Sequence, residues 1–524
     1  MKVDAKSGKR AADKLIQKLQ AAGFEAWYVG GCVRDFCMRE MRDKAEYSAG
    51  QEHESVLSVG DIDLTTSATP EEMKTALKEF PIIETGIQHG TVTVLMPANG
   101  ETNEAGDKRI PFEITTYRSD GEYSDSRHPD SVRFVRNLEE DLARRDFTIN
   151  AMAMDDKGNI VDPFGGREDL KAGIIRTVGD PDKRFQEDAL RIMRALRFAA
   201  VLENPVAKYA KAGEPTCGMN STEGGQPTNW AMQIEPETEA ALFRNKELLK
   251  NISVERILVE FRKLVMGPNA GIVIRRYVDI LGVIIPELLE IKGFEQHNPY
   301  HKYDVLEHCV RAMEAIDLIR PQPTAEYSLS ADSDSPRDYM KIAALLHDIG
   351  KPETFFLDED GIGHMYGHPA AGERKAREIL NRLKADNELT RKVCSLIKHH
   401  DLVFQQDEKL LKRWLNRFGA ELLLEILEIK KADNIATGNM SEELGRKFDD
   451  VRHMIEAIVA SQACFSLKHL AINGRDLIDE GITEGKEIGR ILETALDAVI
   501  DGQIPNKKSE LLELARNMQK QPCK

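Results

Sequence analysis

Two groups of residues near the N-terminus of this 524-residue chain could bind phosphate and metal. Gly30 and Gly31 follow an apolar run and precede a predicted helix, so the backbone can approach a phosphate and the helix can donate N–H groups to it. Arg34, one turn into that helix, adds a guanidinium. Asp61 and Asp63 place two carboxylates on one face of a strand, where hard oxygen ligands suit Mg²⁺. The pattern predicts two metal ions that activate a hydroxyl and stabilise a leaving pyrophosphate.

A basic segment over residues 183–197 could recognise a nucleotide base. It carries five basic and two acidic residues. On a single helix, Asp188, Arg191 and Arg194 would share a face. An Asp–Arg pair accepts one hydrogen bond and donates another, which fits cytosine and adenine and excludes guanine and uracil. Arg194 and Arg197 could then neutralise a triphosphate. The alternative is an ordinary ion pair on a solvated helix.

The order of these motifs resembles class II CCA-adding tRNA nucleotidyltransferases, of the polymerase-β-like nucleotidyltransferase superfamily. The resemblance rests on Gly-Gly-x-x-Arg-Asp, the aspartate pair, Arg-Arg-Asp-Phe-Thr-Ile-Asn-Ala-Met-Ala at 144–153 and Glu-Asp-Ala-Leu-Arg at 187–191. It implies template-independent addition of C, C and A to the tRNA 3′ end from CTP and ATP. It also implies that Asp61 and Asp63 are the catalytic residues and that they bind Mg²⁺. The nucleotide-binding residues that it implies are Gly30, Gly31, Arg34, Arg145, Glu187, Asp188, Arg191, Arg194 and Arg197.

A histidine-rich region after residue 297 could bind a second kind of metal. A His-Asp doublet precedes Gly-Lys-Pro, with a histidine 39 positions upstream of its His and an aspartate 85 positions downstream of its Asp. Imidazoles with carboxylates suit a divalent transition metal, and the doublet Asp could bridge two ions and activate water. The pattern resembles an HD phosphohydrolase domain; a degenerate HD fold that contacts the tRNA elbow is the alternative. The ligands implied are His308, His347, Asp348 and Asp433, with His368, His399 and His400 as further candidates.

Hydrophobic periodicity predicts the elements that hold these residues. We expect a helix over 11–22, strands over 24–29, 62–65, 90–96 and 112–117, and mostly helices from about residue 182. The predicted fold class is an α+β head with a small mixed sheet, followed by an all-α neck and body and an all-α HD domain. The predicted domains are the head at 1–165, the neck and body at 166–297 with a polar insertion near 203–236, the HD domain at 298–440 and a helical tail at 441–524.

The composition restricts the partners. With 88 acidic and 72 basic residues, the net charge is −16, which excludes binding of nucleic acid through overall basicity. Binding of tRNA should instead be local and sensitive to salt. No segment approaches the roughly 20 apolar residues of a membrane span, no secretory signal is evident, and the seven cysteines are scattered. We therefore expect a cytoplasmic protein with no membrane partner.

Two other functions stay open at this point. Bacterial poly(A) polymerases share the head motifs, although Ala-Met-Ala at 151–153 and the HD domain favour the tRNA enzyme. In the second alternative, the head only binds RNA, and the HD site removes 2′,3′-cyclic or terminal phosphates from RNA ends.

Overall fold

The computed structural model describes residues 5–46, 62–84, 86–87, 90–97, 109–121, 132–206, 231–298, 302–319, 338–482 and 484–519. Asp61 and most of the insertion near 203–236 lie outside these residues. The chain forms two compact units, of which the first reaches Leu289 and the second begins at Glu290, while the short segment Arg382–Ala385 belongs to the first. The predicted domain boundaries at 165, 297 and 440 stay predictions.

Helices are the most frequent elements of the described chain. They are α1 (Ala5–Ala21), α2 (Gly31–Glu46), α3 (Pro70–Ala76), α4 (Leu138–Ala143), α5 (Gly166–Ala172), α6 (Pro181–Glu187), α7 (Leu190–Val201), α8 (Pro236–Asn245), α9 (Val254–Val265), α10 (Ala270–Leu281), α11 (Glu287–Ile291), α12 (Val305–Ile319), α13 (Asp338–Leu346), α14 (Lys351–Thr354), α15 (His368–Arg382), α16 (Asn387–His399), α17 (Glu408–Phe418), α18 (Ala420–Ala436), α19 (Glu442–Ala460), α20 (Gly474–Asp479), α21 (Gly485–Ile500) and α22 (Lys508–Gln519). Short 3-10 helices span Thr148–Asn150, Lys246–Asn251 and Leu467–His469.

Strands are concentrated in the N-terminal part. They are β1 (Ala26–Val29), β2 (Asp63–Thr66), β3 (Ile82–Ile83), β4 (Thr91–Pro97), β5 (Arg109–Thr116), β6 (Arg118–Asp120), β7 (Val132–Phe134), β8 (Ala153–Met154), β9 (Ile160–Val161), β10 (Ile174–Ile175), β11 (Gln233–Ile234), β12 (Phe356–Leu357) and β13 (Gly363–His364).

A seven-stranded mixed sheet forms the centre of the head, in the order β3-β4-β5-β2-β1-β8-β9. The pair β2–β5 is parallel, and the other neighbours are antiparallel. Strand β5 alternates exposed and buried residues along most of its length, which is typical of a sheet with one covered face. The structure confirms the α+β head with a small mixed sheet.

The register of the central strands places the predicted site. Val29, the last residue of β1, pairs with Asp63, and Asp63 pairs on its other side with Glu113 of β5. The chain leaves β1 at Gly30 and starts α2 at Gly31. The neighbouring strands β1, β2 and β5 therefore place the glycine loop and the acidic residues side by side at the C-terminal end of β1.

Beyond the head the chain is mainly helical, as predicted. Two small sheets, β10–β11 and β12–β13, were not predicted by the periodicity.

The prediction of a single helix over 183–197 is wrong, because α6 ends at Glu187 and Asp188 has extended backbone angles (φ −143°, ψ 101°). The Asp188 carboxylate accepts the N–H of Leu190 at 3.1 Å. Aspartate favours such local caps over helix interiors, so it starts a new helix here.

The hydrophobic core around α17–α19 in the second unit crosses the predicted boundary at residue 440. Leu411 and Leu415 of α17 and Leu427 of α18 share this core with Phe448 and Ile455 of α19. A separate cluster, which includes Ile491 and Leu511, holds α20–α22 together. The helix that follows residue 440 is thus packed against the elements that precede it.

Candidate functional sites

The glycine loop after β1 faces both an acidic and a basic side chain. Gly30 has a φ of +73°, a backbone conformation that glycine adopts without strain. A Cβ built on Gly30 would lie 3.4 Å from Nη1 of Arg145 and 3.8 Å from Oδ2 of Asp63. Gly31 begins α2, and the N–H of Arg34 donates to the carbonyl of Gly30 at 3.2 Å. The structure therefore brings the predicted loop, Asp63 and Arg145 together.

Glu113 is a candidate site residue that sequence reasoning missed. It is the register partner of Asp63 in the parallel pair β2–β5, and both side chains are exposed. Neighbouring residues in register point to the same face of the sheet. Two adjacent exposed carboxylates are a hard-oxygen donor set that fits Mg²⁺. The available signal was the alternation of β5, in which Glu113 takes an exposed position between two buried residues.

A buried polar network connects the glycine-loop helix to α7. Nη1 of Arg34 donates to Oδ1 of Asn150 at 2.8 Å, and Nδ2 of Asn150 donates to Oδ1 of Asp146 at 3.1 Å. The other Asp146 oxygen accepts from Nε of Arg194 at 2.7 Å. Although burial opposes ionisation, Arg194 and Asn150 hold the pKa of Asp146 below its usual range. The predicted binders Arg34 and Arg194 are thus fixed by two residues that were not predicted.

Three guanidinium groups surround the ring of Phe198. Those of Arg34, Arg194 and Arg197 lie 5.1, 5.6 and 4.2 Å from its centroid. Arg197 is 7% exposed and pairs with Glu260 at 3.1 Å. Burial lowers the pKa of Arg197 to about 10, against the opposing effect of Glu260. The more exposed Arg194 is therefore better placed to meet a ligand than Arg197.

The predicted base-reading residues each have a partner of their own. Oδ2 of Asp188 is 2.9 Å from Nη2 of Arg256. Nη1 of Arg191 donates to Oε2 of Glu187 at 2.7 Å and to the main-chain oxygen of Arg184 at 3.0 Å, and Nη2 donates to that of Arg144 at 3.0 Å. The prediction of a shared helical face is replaced by a bend in which Glu187 orients Arg191 and Arg256 orients Asp188.

In the second unit, the histidine-aspartate centre is built around Asp348, which is 1% exposed. Its Oδ2 lies 3.3 Å from Nε2 of His308 and 3.2 Å from Nε2 of His347. Oδ1 of Asp433 is 3.0 Å from the same nitrogen of His308. Two histidines of the predicted HD core thus meet at one oxygen of Asp348, and Asp433 joins them through His308.

The other oxygen of Asp348 faces a second pair of imidazoles. Oδ1 lies 3.3 Å from Nε2 of His368 and 3.6 Å from Nε2 of His400. His399 lies elsewhere, with its ring 4.8 Å from that of Phe418. Of the two adjacent histidines, therefore, His400 joins the centre.

The ring orientations suit metal binding. The Nδ1 atoms of His347, His368 and His400 lie 2.7, 2.9 and 2.7 Å from the main-chain oxygens of Ala344, Met365 and Ile397. Such bonds place the proton on Nδ1 and leave the Nε2 lone pair for a cation. Burial lowers the pKa of His400, which favours its neutral, ligating form.

The electrostatics of the centre also fit a cation. Although burial opposes both charges, the pKa of His347 is raised and that of Asp348 is lowered, because each group stabilises the charge of the other. A metal ion would satisfy the same attraction in place of the imidazole proton. The donor set of imidazoles and carboxylates suits a divalent transition metal.

Two glycines allow the halves of this centre to approach each other. A Cβ on Gly350 would lie 2.4 Å from the main-chain nitrogen of Gly372 and 2.5 Å from the oxygen of His368. A Cβ on Gly372 would lie 3.2 Å from the oxygen of His347. The segment after the His-Asp doublet therefore packs directly against the start of α15.

An open cavity of about 420 Å³ lies beside the centre. Asp348, His368, His400 and Asp433 line one side of it. Lys351, whose Nζ is 2.6 Å from Oδ2 of Asp348, lines it as well. The cavity gives a small molecule room to reach the cluster.

The sheet with its carboxylates, the glycine loop and the arginine-bearing α7 define the class of this protein, a nucleotidyltransferase. Models of three families match the chain: the poly A polymerase head domain over residues 26–176, the probable RNA and SrmB-binding site of polymerase A over 231–291, and a putative tRNA nucleotidyltransferase domain 2 over 369–515.

Its relatives narrow this class. The chain is 34% identical to the CCA-adding enzyme of Lactobacillus helveticus over 94% of this chain and 93% of the relative. It is 41% identical to that of Geobacillus stearothermophilus over 49% of each. The solved structure of the Bacillus stearothermophilus CCA-adding enzyme in complex with CTP matches with a TM-score of 0.60 and 26% identity, over 98% of each chain. The chain belongs to the family of CCA-adding enzymes, which act in tRNA processing.

Within the described part of the chain, no helix is long and apolar enough to cross a membrane.

Proposed function

We propose that this chain is a class II CCA-adding tRNA nucleotidyltransferase, which adds C, C and A to the tRNA 3′ end from CTP and ATP without a template. The observation that carries the proposal is the register that sets Asp63 between the glycine loop and Glu113. Relatives named as CCA-adding enzymes support this function over poly(A) addition. The free thiols of Cys32, Cys37, Cys309, Cys394 and Cys464 support a cytoplasmic location.

The chemistry of this reaction is mainly positioning and charge stabilisation. The tRNA 3′-oxygen bonds to the α-phosphorus of the nucleotide, and its hydroxyl proton passes to water. The bond from the α-phosphorus to the oxygen that bridges to the β-phosphate breaks, and pyrophosphate leaves. Mg²⁺ bound by Asp61, Asp63 and Glu113 would lower the pKa of the hydroxyl and neutralise the leaving group. The loop amides of Gly30 and Gly31 hold the triphosphate at the N-terminus of α2.

Arginines complete the nucleotide site in this proposal. Arg145 faces the loop, and Arg34 and Arg194 add positive charge around Phe198. Asp188 and Arg191 would read the base, each oriented by its own partner. Arg197 is a positioning residue, because its pairing with Glu260 holds the end of α7 in place.

The decisive experiment compares RNA substrates. Purified protein is incubated with labelled CTP and ATP, Mg²⁺, and either tRNA that lacks its CCA end or a generic RNA. We expect C, C and A to be added once to the tRNA and little addition to the generic RNA. Long A tails on both RNAs would instead establish a poly(A) polymerase. No incorporation into either would leave the head as a module that only binds RNA.

We also propose that the second unit contains an HD domain with phosphohydrolase activity toward RNA ends. The observation in favour is the division of four histidines between the two oxygens of Asp348. His308, His347, Asp348 and Asp433 would hold one divalent transition metal, and Asp348, His368 and His400 a second. Bound metals would supply an activated water for attack on phosphorus. The bond from phosphorus to the ribose oxygen breaks, and that oxygen takes up the proton of the water and leaves as a hydroxyl. The contacts of Lys351 and Lys430 with Asp348 and Asp433 balance the carboxylate charge.

Asp348→Asn tests this second site and its independence. We expect loss of phosphate release from RNA with a 3′-terminal phosphate, loss of ring opening in RNA with a 2′,3′-cyclic phosphate, loss of bound transition metal by elemental analysis, and unchanged addition of C and A. The control is Glu359→Gln, an exposed carboxylate in the turn between β12 and β13 that lies outside the metal cluster. Equal loss of nucleotide addition in correctly folded Asp348→Asn protein would contradict independence.

A further inference from the structure

A group of aromatic side chains lies exposed at the mouth of the cavity beside the histidine-aspartate centre. The rings of His364 and Tyr366 stack with centroids 5.2 Å apart and an angle of 20° between their planes. Phe356 is 5.4 Å from His364 and 5.8 Å from Tyr366. Tyr366 is 74% exposed and Phe356 46%. We call these three residues the aromatic platform.

The platform is fixed in place before any ligand binds. Nε2 of His364 is 2.7 Å from Oδ2 of Asp358. The other oxygen of Asp358 accepts the N–H groups of Asp360 and Ile362 at 3.1 and 2.8 Å, which closes the turn between β12 and β13. Asp358 holds the edge of the His364 imidazole, and the ring of Phe356 lies beside its face. Tyr366 therefore stacks on a rigid support. A preorganised ring loses little entropy when a ligand stacks on it.

Direct contacts tie the platform to the metal centre. A Cβ on Gly363 would lie 2.1 Å from the main-chain oxygen of Gln296, so the hairpin sits against that residue. Oε1 of Gln296 accepts from Nζ of Lys351 at 2.7 Å, and Lys351 contacts Asp348. His364 and Tyr366 line the same cavity as Asp348. A molecule with its phosphate at the metal centre could therefore extend over the platform.

The two lysines of the cavity are already paired with carboxylates. Recognition of the part of a substrate beyond its phosphate therefore depends on other residues. Lys351 is held between Asp348 and Gln296. Lys430 contacts Asp433 at 3.1 Å and Asp401 at 3.0 Å, and Asp401 also lines the cavity. Both lysines thus balance carboxylates of the site. An exposed aromatic face next to a phosphate site is instead suited to a nucleobase, since every base has a π-face.

We propose that the aromatic platform binds the base of a nucleoside phosphate, free or at the end of an RNA, while its phosphate lies at the metal centre. Tyr366 contacts the base, and His364 and Phe356 position Tyr366. Recognition through the ring face tolerates any of the four bases. This inference rests on the proposed hydrolase function, and it makes nucleotides, rather than small phosphate esters, the substrate class of that site.

The test uses the fluorescence of 2-aminopurine riboside 3′-phosphate, which is quenched when the base stacks. Binding is measured on the full chain in its metal-loaded form for wild type, Tyr366→Ala and Tyr366→Phe, with Leu357→Ala on the same hairpin as the control. Stacking on an aromatic side chain contributes about 1–3 kcal/mol, so Tyr366→Ala should raise the Kd at least about fivefold and abolish quenching. Tyr366→Phe and Leu357→Ala should resemble wild type.

A ligand without a base separates stacking from phosphate binding. The affinity for ribose 5-phosphate should be equal in wild type and Tyr366→Ala. A second arm uses a short RNA with 2-aminopurine at its 3′-phosphorylated end; quenching there as well extends the site from free nucleotides to RNA ends. Any quenching at the nucleotide site of the head is the same in all variants, so only the difference between them counts.

Two results would overturn the proposal: undiminished quenching in Tyr366→Ala, or an equal loss of affinity for ribose 5-phosphate. Failure of the hydrolase function is distinguishable. If wild type releases no phosphate from any ligand but Tyr366-dependent quenching persists, the hydrolase is wrong and the base site stands. If phosphate is released and quenching is independent of Tyr366, the hydrolase stands and the base site is wrong.

Discussion

At the scale of single residues, Asp63 is the side chain on which nucleotide addition should depend most. We expect Asp63→Asn to lower the rate of CTP incorporation at least about 100-fold, because one metal-binding carboxylate is lost where charge develops. Asp63 is exposed, so the free energy of unfolding should change by less than about 0.5 kcal/mol. Incorporation kinetics and thermal unfolding measure the two effects.

The matched control for this variant is Glu71→Gln, an exposed carboxylate of α3 that contacts Lys74. It should leave incorporation unchanged. Glu113→Gln should resemble Asp63→Asn in direction. If Asp63→Asn retained the wild-type rate, the metal-binding role of this strand would be refuted.

Glu187 should control the choice of nucleotide through Arg191. In Glu187→Ala the guanidinium of Arg191 loses its charged partner and keeps only main-chain acceptors. We expect the KM for CTP and ATP to rise and the discrimination against UTP and GTP to fall about tenfold, in line with a lost charge-assisted hydrogen bond of roughly 1.5–3 kcal/mol. Incorporation of each nucleotide alone measures this, and Glu187→Gln should restore part of the selectivity. Unchanged discrimination would separate Glu187 from base reading.

Residue types and spacing predicted the site where the chemistry is local in the chain. Gly30, Gly31 and Arg34 fall on one turn, and the His347-Asp348 doublet carries its own signal. Glu113, Asp146 and Asn150 were missed because their positions beside the proposed site come from strand register and from buried partners far away in sequence. No periodicity within a window of residues can report a hydrogen bond between Arg34 and Asn150.

At the scale of elements, the junction of β1 with α2 depends on a left-handed residue with close neighbours. Gly30→Ala should cost about 1–2 kcal/mol of backbone strain, and it should place a methyl group against Arg145 and Asp63, where the loop would receive a phosphate. Gly23→Ala is the matched control, since Gly23 has a φ of +90° but a Cβ there would meet nothing within 4 Å. Both variants should lose similar thermal stability, whereas only Gly30→Ala should raise the KM for CTP. Equal kinetic effects would show that strain alone matters.

Elements with a strong hydrophobic periodicity were predicted well. Elements whose conformation depends on contacts with other parts of the chain were not. The helix predicted over 11–22 corresponds to α1, whose Leu15, Ile16 and Leu19 are fully buried. The bend at Asp188 was missed because basic and apolar residues continue through it with helical spacing. The strands of β12–β13 are two residues each and exist through pairing with each other. Such short pairs carry no periodic signal.

At the scale of the whole molecule, two sites with different ligand chemistry should respond differently to metals. Treatment with a chelator should stop both activities. Mg²⁺ should restore nucleotide addition, which uses carboxylate oxygens, but phosphate release should return only with a transition metal such as Mn²⁺ or Ni²⁺. Rates after dialysis against each metal measure this, with Asp348→Asn as the control that responds to Mg²⁺ alone. Full recovery of phosphate release with Mg²⁺ would contradict the assignment of imidazole ligands.

The net charge of −16 acquires a different meaning once the positions are known. Acidic residues form part of both proposed metal sites, and they pair with arginines that surround Phe198. The sum over the chain therefore says little about where RNA binds.

The close packing of Gly350 against Gly372 has a consequence for the proposed metal centre. Main-chain atoms, rather than flexible side chains, set the interval between the ligands on either side of Asp348. Exchange of a histidine for another ligand would alter the preferred ion while the interval stayed the same. The distance between the two groups of ligands would thus stay constant, and a bound phosphate would have to span that distance.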